Sequence, residues 1–223
     1  MTVPGRVDAA ALLLSLDPPP WALRHARAVA EVAGWLAARA AGRGRAIDRH
    51  LIEAAALLHD VDKLLPAGDP ARRLRHGDGS AAWLARRGHA ELGPLVADHP
   101  VTRLVDAAAF DAWLAGTSLD ARIVAYADKR AGQRLEPMGA RFGSWARRYP
   151  DAPGWDATVR AAVAGRAARL EADVCTTSGV APGEVRRLRW TGPALRAARS
   201  ASATGPAAAA TTAAAPPRPR GRP

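Results

Sequence analysis

The stretch Ala-Leu-Leu-His-Asp-Val-Asp-Lys, residues 56–63, decides how this chain is read. Leu51, Ile52, Leu57 and Leu58 carry an apolar helical run into it, and Ala54-Ala55-Ala56 keep one side small enough for close helix packing. His59 and Asp60 stand next to each other at the end of that run. Lys63 follows four residues after the first and three after the second, a spacing that puts all three on neighbouring surface of one helix. Imidazole and carboxylate together suit Zn, Fe, Mn or a related divalent ion. A lysine beside such an ion faces an anion, so the motif points to hydrolysis of a phosphate ester or anhydride.

The surrounding sequence reads as helix after helix. A short amphipathic segment with Leu12, Leu13 and Leu16 is closed by Asp17-Pro-Pro-Pro20, and Pro20 suits the first turn of a helix running to about Ala41. Asp48 is placed to cap the helix that reaches His59. Asp78 or Ser80 begins another, which Gly88 stops. Leu92, Leu95 and Val96 mark a further one, residues 102–114 are helical in part, and Leu119, Ile123, Val124 and Tyr126 lie on a strongly apolar helix ending in Asp128-Lys129-Arg130. Helices are expected at about 135–148 and 155–175, with a last short one at about 182–190. No alternating strand pattern and no internal repeat is visible, so the fold class is all-α.

Four more residues are candidates for the same chemistry, each with a plainer alternative. Asp128 sits late in an apolar helix, where an ionised carboxylate on the inner side is costly without a cation. It would equally serve as a solvent-facing partner of Lys129 or Arg130. His25, His76 and His99 suit exposed or satisfied histidines as well as ligands. His50 and His89 stand among polar residues and read as surface histidines.

The net charge is +11, and the eight arginines after Glu184, unopposed by any acid, supply most of it. From Ala201 onward every residue is Ala, Ser, Thr, Gly, Pro or Arg, a composition with nothing large to bury. Such a tail supports only weak, charge-driven contact with nucleic acid. The single Cys175 excludes an internal disulfide and a cysteine zinc cluster, and fits a reducing, cytoplasmic setting. No window is apolar enough for a membrane span, and the N-terminus lacks the pattern of a secretion signal.

The order His25, His59-Asp60, Asp128 resembles the signature of the HD-domain metal-dependent phosphohydrolases, which are all-helical bundles. Tyr126-Ala-Asp-Lys129, Arg141-Phe142 and Arg148-Tyr149-Pro150 are similar to segments of small stand-alone bacterial HD proteins. His76 and His99 match two further histidines found in binuclear members, such as the symmetrical dinucleoside-tetraphosphate hydrolase branch. The resemblance implies six metal ligands (His25, His59, Asp60, His76, His99 and Asp128), with Asp60 bridging two ions of Fe, Mn or Zn. It implies catalytic roles for Asp60 and Lys63, and contacts from Lys63, Lys129, Arg130 and Arg141 to a nucleotide-type substrate. The expected organisation is an N-terminal helical segment at 1–19, an HD domain at 20–150, a helical extension at 151–192 and a disordered tail at 193–223. The competing functions are a nucleoside-monophosphate phosphatase and a non-catalytic, metal-stabilised binding module.

Overall fold

Proline and short acidic or hydroxyl side chains set the helix starts. The structure, a computed structural model, describes residues 3–204. Its α-helices are α1 (Arg6–Leu14), α2 (Pro20–Ala41), α3 (Arg49–Leu58), α4 (Asp78–Ala85), α5 (Gly93–Ala97), α6 (Ala107–Gly116), α7 (Leu119–Arg130), α8 (Met138–Arg148), α9 (Ala157–Ser178) and α10 (Thr191–Thr204). Short 3-10 turns link several of them, and no strand occurs among the described residues, so the expected all-α class holds. Pro20 opens α2, whose first turn needs no N–H from it. Asp48, Asp106, Ser118 and Asp156 each accept a backbone N–H in the first turn of α3, α6, α7 and α9.

Helices α2, α3 and α7 pack against one another and form the centre. Their contact faces are rich in alanine, with Ala26, Ala30, Ala33, Ala54, Ala55, Ala125 and Ala127 buried. Small residues let the three axes come close, which side chains projecting from all three into one site require. Helix α5 covers α3 and α7, α4 covers α5, and α9 lies on α7 and α2. No helix among the described residues is long and apolar enough to cross a membrane.

Two expectations need correction. The first concerns residues 59–63, expected on one helix. Helix α3 ends at Leu58, Asp60 leaves helical geometry (φ −105°, ψ 16°), and Val61–Leu64 form a 3-10 turn. The path changes because His59 Nδ1 turns back to the Ala56 carbonyl while the Asp62 carboxylate is drawn to His76 and the Gly77 N–H. Lys63 still reaches Asp60, at 2.9 Å.

The second concerns the C-terminus, where a short helix at 182–190 and a tail from 193 were expected. Only Pro182–Glu184 form a 3-10 turn, and α10 then runs through Thr204 against α1, burying Ala194, Leu195 and Ala198. Buried acids on the central helices hold this segment. Glu31 on α2 pairs with Arg187 at 2.8 Å and accepts the Thr191 hydroxyl, while Glu53 on α3 takes a two-pronged contact from Arg6 at 2.7 Å. Trp190 wedges between them, donates to the Ala30 carbonyl and stacks under Arg6. Gly34 makes room for it, since a Cβ there would meet Glu53 and the Trp190 indole at 3.1 Å. The expected disorder of residues 205–223, and the weak nucleic-acid contact assigned to them, lie outside the described residues.

Trp190→Ala should therefore destabilise the domain by about 3–5 kcal/mol, the cost of emptying a buried aromatic site. That corresponds to a melting temperature lower by about 10 °C in thermal denaturation. An unchanged melting temperature would mean that the segment carries no packing.

Candidate metal centre and its cleft

Five separate elements deliver the site. His25 comes from the second turn of α2, His59 and Asp60 from the end of α3, His76 from the loop before α4, His99 from just after α5, and Asp128 from the last turn of α7. All six expected ligands meet. His25 Nε2 lies 3.1 Å from His59 Nε2 and 3.4 Å from oxygens of both Asp60 and Asp128. Asp60 Oδ1 is 3.3 Å from the Nε2 atoms of both His76 and His99. Three overlapping sets are compact enough to share an ion: His25, His59 and Asp128; His59, Asp60 and His99; and Asp60, Asp62 and His76.

The other ring nitrogens fix the proton positions. His25 Nδ1 faces the Gly132 carbonyl at 2.8 Å, His59 Nδ1 that of Ala56 at 2.8 Å, and His99 Nδ1 that of Val96 at 2.5 Å. His76 Nδ1 lies 2.9 Å from the Asp62 carboxylate. Those oxygens only accept, so each Nδ1 carries a proton, and Nε2 of each ring is turned into the cluster. Four Nε2 atoms and two carboxylates then face one another. Asp60 Oδ1 is buried without a hydrogen-bond donor. A cluster of this kind repels itself unless a cation enters, and imidazole and carboxylate are ligands for a divalent ion. The residues therefore fit a metal.

Charge in the pocket follows the same demand. Burial opposes ionisation of Asp60, but His59, His25 and His99 hold it well below the usual carboxylate range. Burial likewise opposes the charge on Asp128, which His25 and His59 nevertheless keep ionised. Burial works against a charged His25, yet Asp128 and Asp60 overcome it and push the imidazole up to about 10. Burial pushes His99 down to about 4, which leaves it a neutral ligand. A proton on His25 is thus the metal-free protein's substitute for a cation.

Asp62 lies in the 3-10 turn that follows the His59-Asp60 pair. It is buried, accepts from His76 and the Gly77 N–H, and takes its own N–H to the Ser80 hydroxyl. Gly77 is required beside it: its φ is +89°, and a Cβ would come within 2.6 Å of the Ala97 carbonyl. This loop aims His76 at Asp60.

Two expected substrate contacts are corrected. Lys129 is buried and donates to the His99 and Ala125 carbonyls, and burial pulls its ammonium down to about 8. Arg130 is buried and spends its donors on Tyr126, Glu171, Glu136 and Pro182. Neither lines the cleft; both hold α7 against its neighbours. Lys63 and Arg141 do line it. Lys63 stays charged, since Asp60 more than offsets its burial.

The cluster forms the floor of a cavity of about 780 Å³. His25, Asp60, His76 and Asp128 reach it from one side. Helix α8 and the turn after it supply much of the opposite wall, with Trp145, Arg148, Tyr149 and Trp155. Apart from Arg148 and Tyr149, quoted for the resemblance alone, these wall residues were not singled out in the sequence. The available signal was the spacing of Arg141, Trp145 and Arg148, which share one helix face.

Residues 22–132 match the family model of the HD domain. No curated protein and no solved structure matches the chain.

Asp62→Ala frees the His76 ring and should weaken metal binding about 10- to 100-fold, the usual cost of losing the group that orients a ligand. Elemental analysis after dialysis checks this; wild-type metal content would contradict it. Metal retention should also fall as the pH is lowered, because an incoming ion must displace the proton that His25 holds up to about 10. Dialysis against one metal buffer at acidic and at mildly alkaline pH reads the trend, and the opposite slope would refute it.

Proposed function

Residues 22–132 belong to the HD-domain superfamily, whose members are mostly metal-dependent hydrolases, and from that premise we propose that this protein hydrolyses a phosphate ester or anhydride of a nucleotide. The observation that carries the reading is the position of the ligand cluster at the floor of an open cleft, beside a charged lysine. A purely structural metal site is closed on all sides and has no use for such a cleft.

His25, His59, Asp60, His76, His99 and Asp128 would hold the divalent metal. Fe, Mn and Zn all accept this donor set. Ions held there supply Lewis-acid activation of water and of a phosphoryl oxygen. The chain's own residues do the rest. Lys63 extends from Asp60 toward the cleft, with its side chain about half exposed, so its ammonium meets a phosphate that enters. Arg141 approaches from α8, where burial pulls its guanidinium down against the attraction of Asp128 and Asp60. Together they offset negative charge that grows on the phosphoryl group in the transition state. Lys129 fixes the backbone of His99 and so the height of that ligand above the floor. The volume of the cleft lies within the range of small-molecule sites, and its aromatic side chains suit a base.

Asp60→Ala should remove both metal and activity while circular dichroism keeps most of the helical signal. Lys63→Ala should retain metal and lower kcat about 100-fold, the scale of one electrostatic contact made to the transition state. The assays are elemental analysis and phosphate release from a panel of mono- and dinucleotides with Mn, Fe or Zn added. Full turnover by metal-stripped protein would overturn the proposal.

A further inference from the structure

Helix α8 lies beyond the segment that matches the HD domain, and it is built differently from the central helices. Met138 and Phe142 tie it to the core. That leaves Arg141, Ser144, Trp145 and Arg148, at helical spacing, on the wall of the cleft. Phe142 meets the Trp145 ring edge-on at 5.0 Å, and the Arg141 guanidinium lies 4.6 Å from the same ring. Both contacts hold the indole in place.

The turn after α8 is also fixed. Arg160 donates to the carbonyls of Trp155, Tyr149 and Pro150, a clamp that presents Tyr149 and Trp155 to the cleft. Tyr149 is 56 % exposed, so its ring covers no core. The chain contains only seven tryptophans, and three of them, Trp21, Trp145 and Trp155, line this one cavity.

The two arginines on this face differ from those that brace the fold. Arg122, Arg130, Arg169 and Arg187 each have a carboxylate within 3.0 Å. Among the described residues Arg141 and Arg148 have no ion-pair partner, and Arg141 Nε is buried without an acceptor. The two are seven residues apart, about 10 Å along the helix. Arg141 belongs with the metal floor; Arg148 stands two turns away, beyond Trp145.

We infer that the cleft face of α8 is a second ligand subsite, which stacks an aromatic base on Trp145, Tyr149 and Trp155 and takes a further phosphate at Arg148. This deepens the phosphohydrolase reading and rests on it: the preferred substrate is a nucleotide with at least two phosphates. The floor and Arg141 take the phosphate to be cleaved, and Arg148 selects the longer or doubly phosphorylated ligand.

Calorimetric titration of the full-length protein, with EDTA present to stop turnover, tests the subsite. The probes are AMP, ADP, adenosine 3′,5′-bisphosphate and pyrophosphate. At least one of the two bisphosphorylated nucleotides should bind about tenfold more tightly than AMP, the scale of one charge-assisted contact. Arg148→Ala, an exposed position whose loss leaves the core intact, should erase that advantage. Trp145→Leu should weaken every nucleotide about tenfold and leave pyrophosphate unchanged. Equal binding of AMP and both bisphosphates, an advantage that survives Arg148→Ala, or pyrophosphate binding as tightly as ADP would each overturn the subsite. Turnover plays no part in this titration, so its failure leaves the metal-centre reading standing. An inactive protein that passes it keeps the subsite and loses the hydrolase.

Discussion

The buried carboxylate of Asp60, surrounded by imidazole nitrogens, is the constraint on which the rest of the structure depends. Burial makes an anion costly there, and His59, His25 and His99 offset that cost to hold it ionised. The alanine-lined contacts of α2, α3 and α7 bring the ligands within sharing distance. The break after Leu58 turns Asp60 to the middle of the cluster and Asp62 to the loop that aims His76. Carbonyls at Ala56, Val96 and Gly132 hold the remaining rings by their Nδ1 protons. Stability is given up locally so that a cation is wanted at one point.

Around this floor the molecule divides its charges by task. Glu31 and Glu53 are buried acids with arginine partners, and they bind α1 and the segment before α10 to the bundle. Lys129 and Arg130 are buried bases whose donors end on protein oxygens. Lys63, Arg141 and Arg148 are among the bases that line the cleft. Position rather than residue type separates the groups that hold the fold from those available to a ligand.

Much of this was legible in the sequence. Helical periodicity, Pro20, Asp48 and the glycine breaks gave an all-helical bundle, and six ligands were named that the structure brings together. Three features were not legible. Asp128, Lys129 and Arg130 are consecutive in sequence yet point to different surroundings, which depends on how α7 meets α9 and the loop holding His99. Residues 193–199 look like the start of a tail by composition. Glu31 on α2, more than a hundred residues earlier, anchors Arg187 and Thr191 just ahead of them, and α1 packs against them. Of the cleft face of α8 only Arg141 was named as a substrate contact, because Trp145 and Arg148 read equally well as the solvated face of an amphipathic helix.

X-ray absorption at the metal edge of the protein loaded with Zn or Mn probes the central claim most directly, since it sees only what touches the ion. A His/Asp cage predicts nitrogen and oxygen neighbours at about 2.0–2.2 Å for zinc, with the outer-shell scattering of several imidazole rings. A spectrum with oxygen neighbours alone and no imidazole scattering would contradict it.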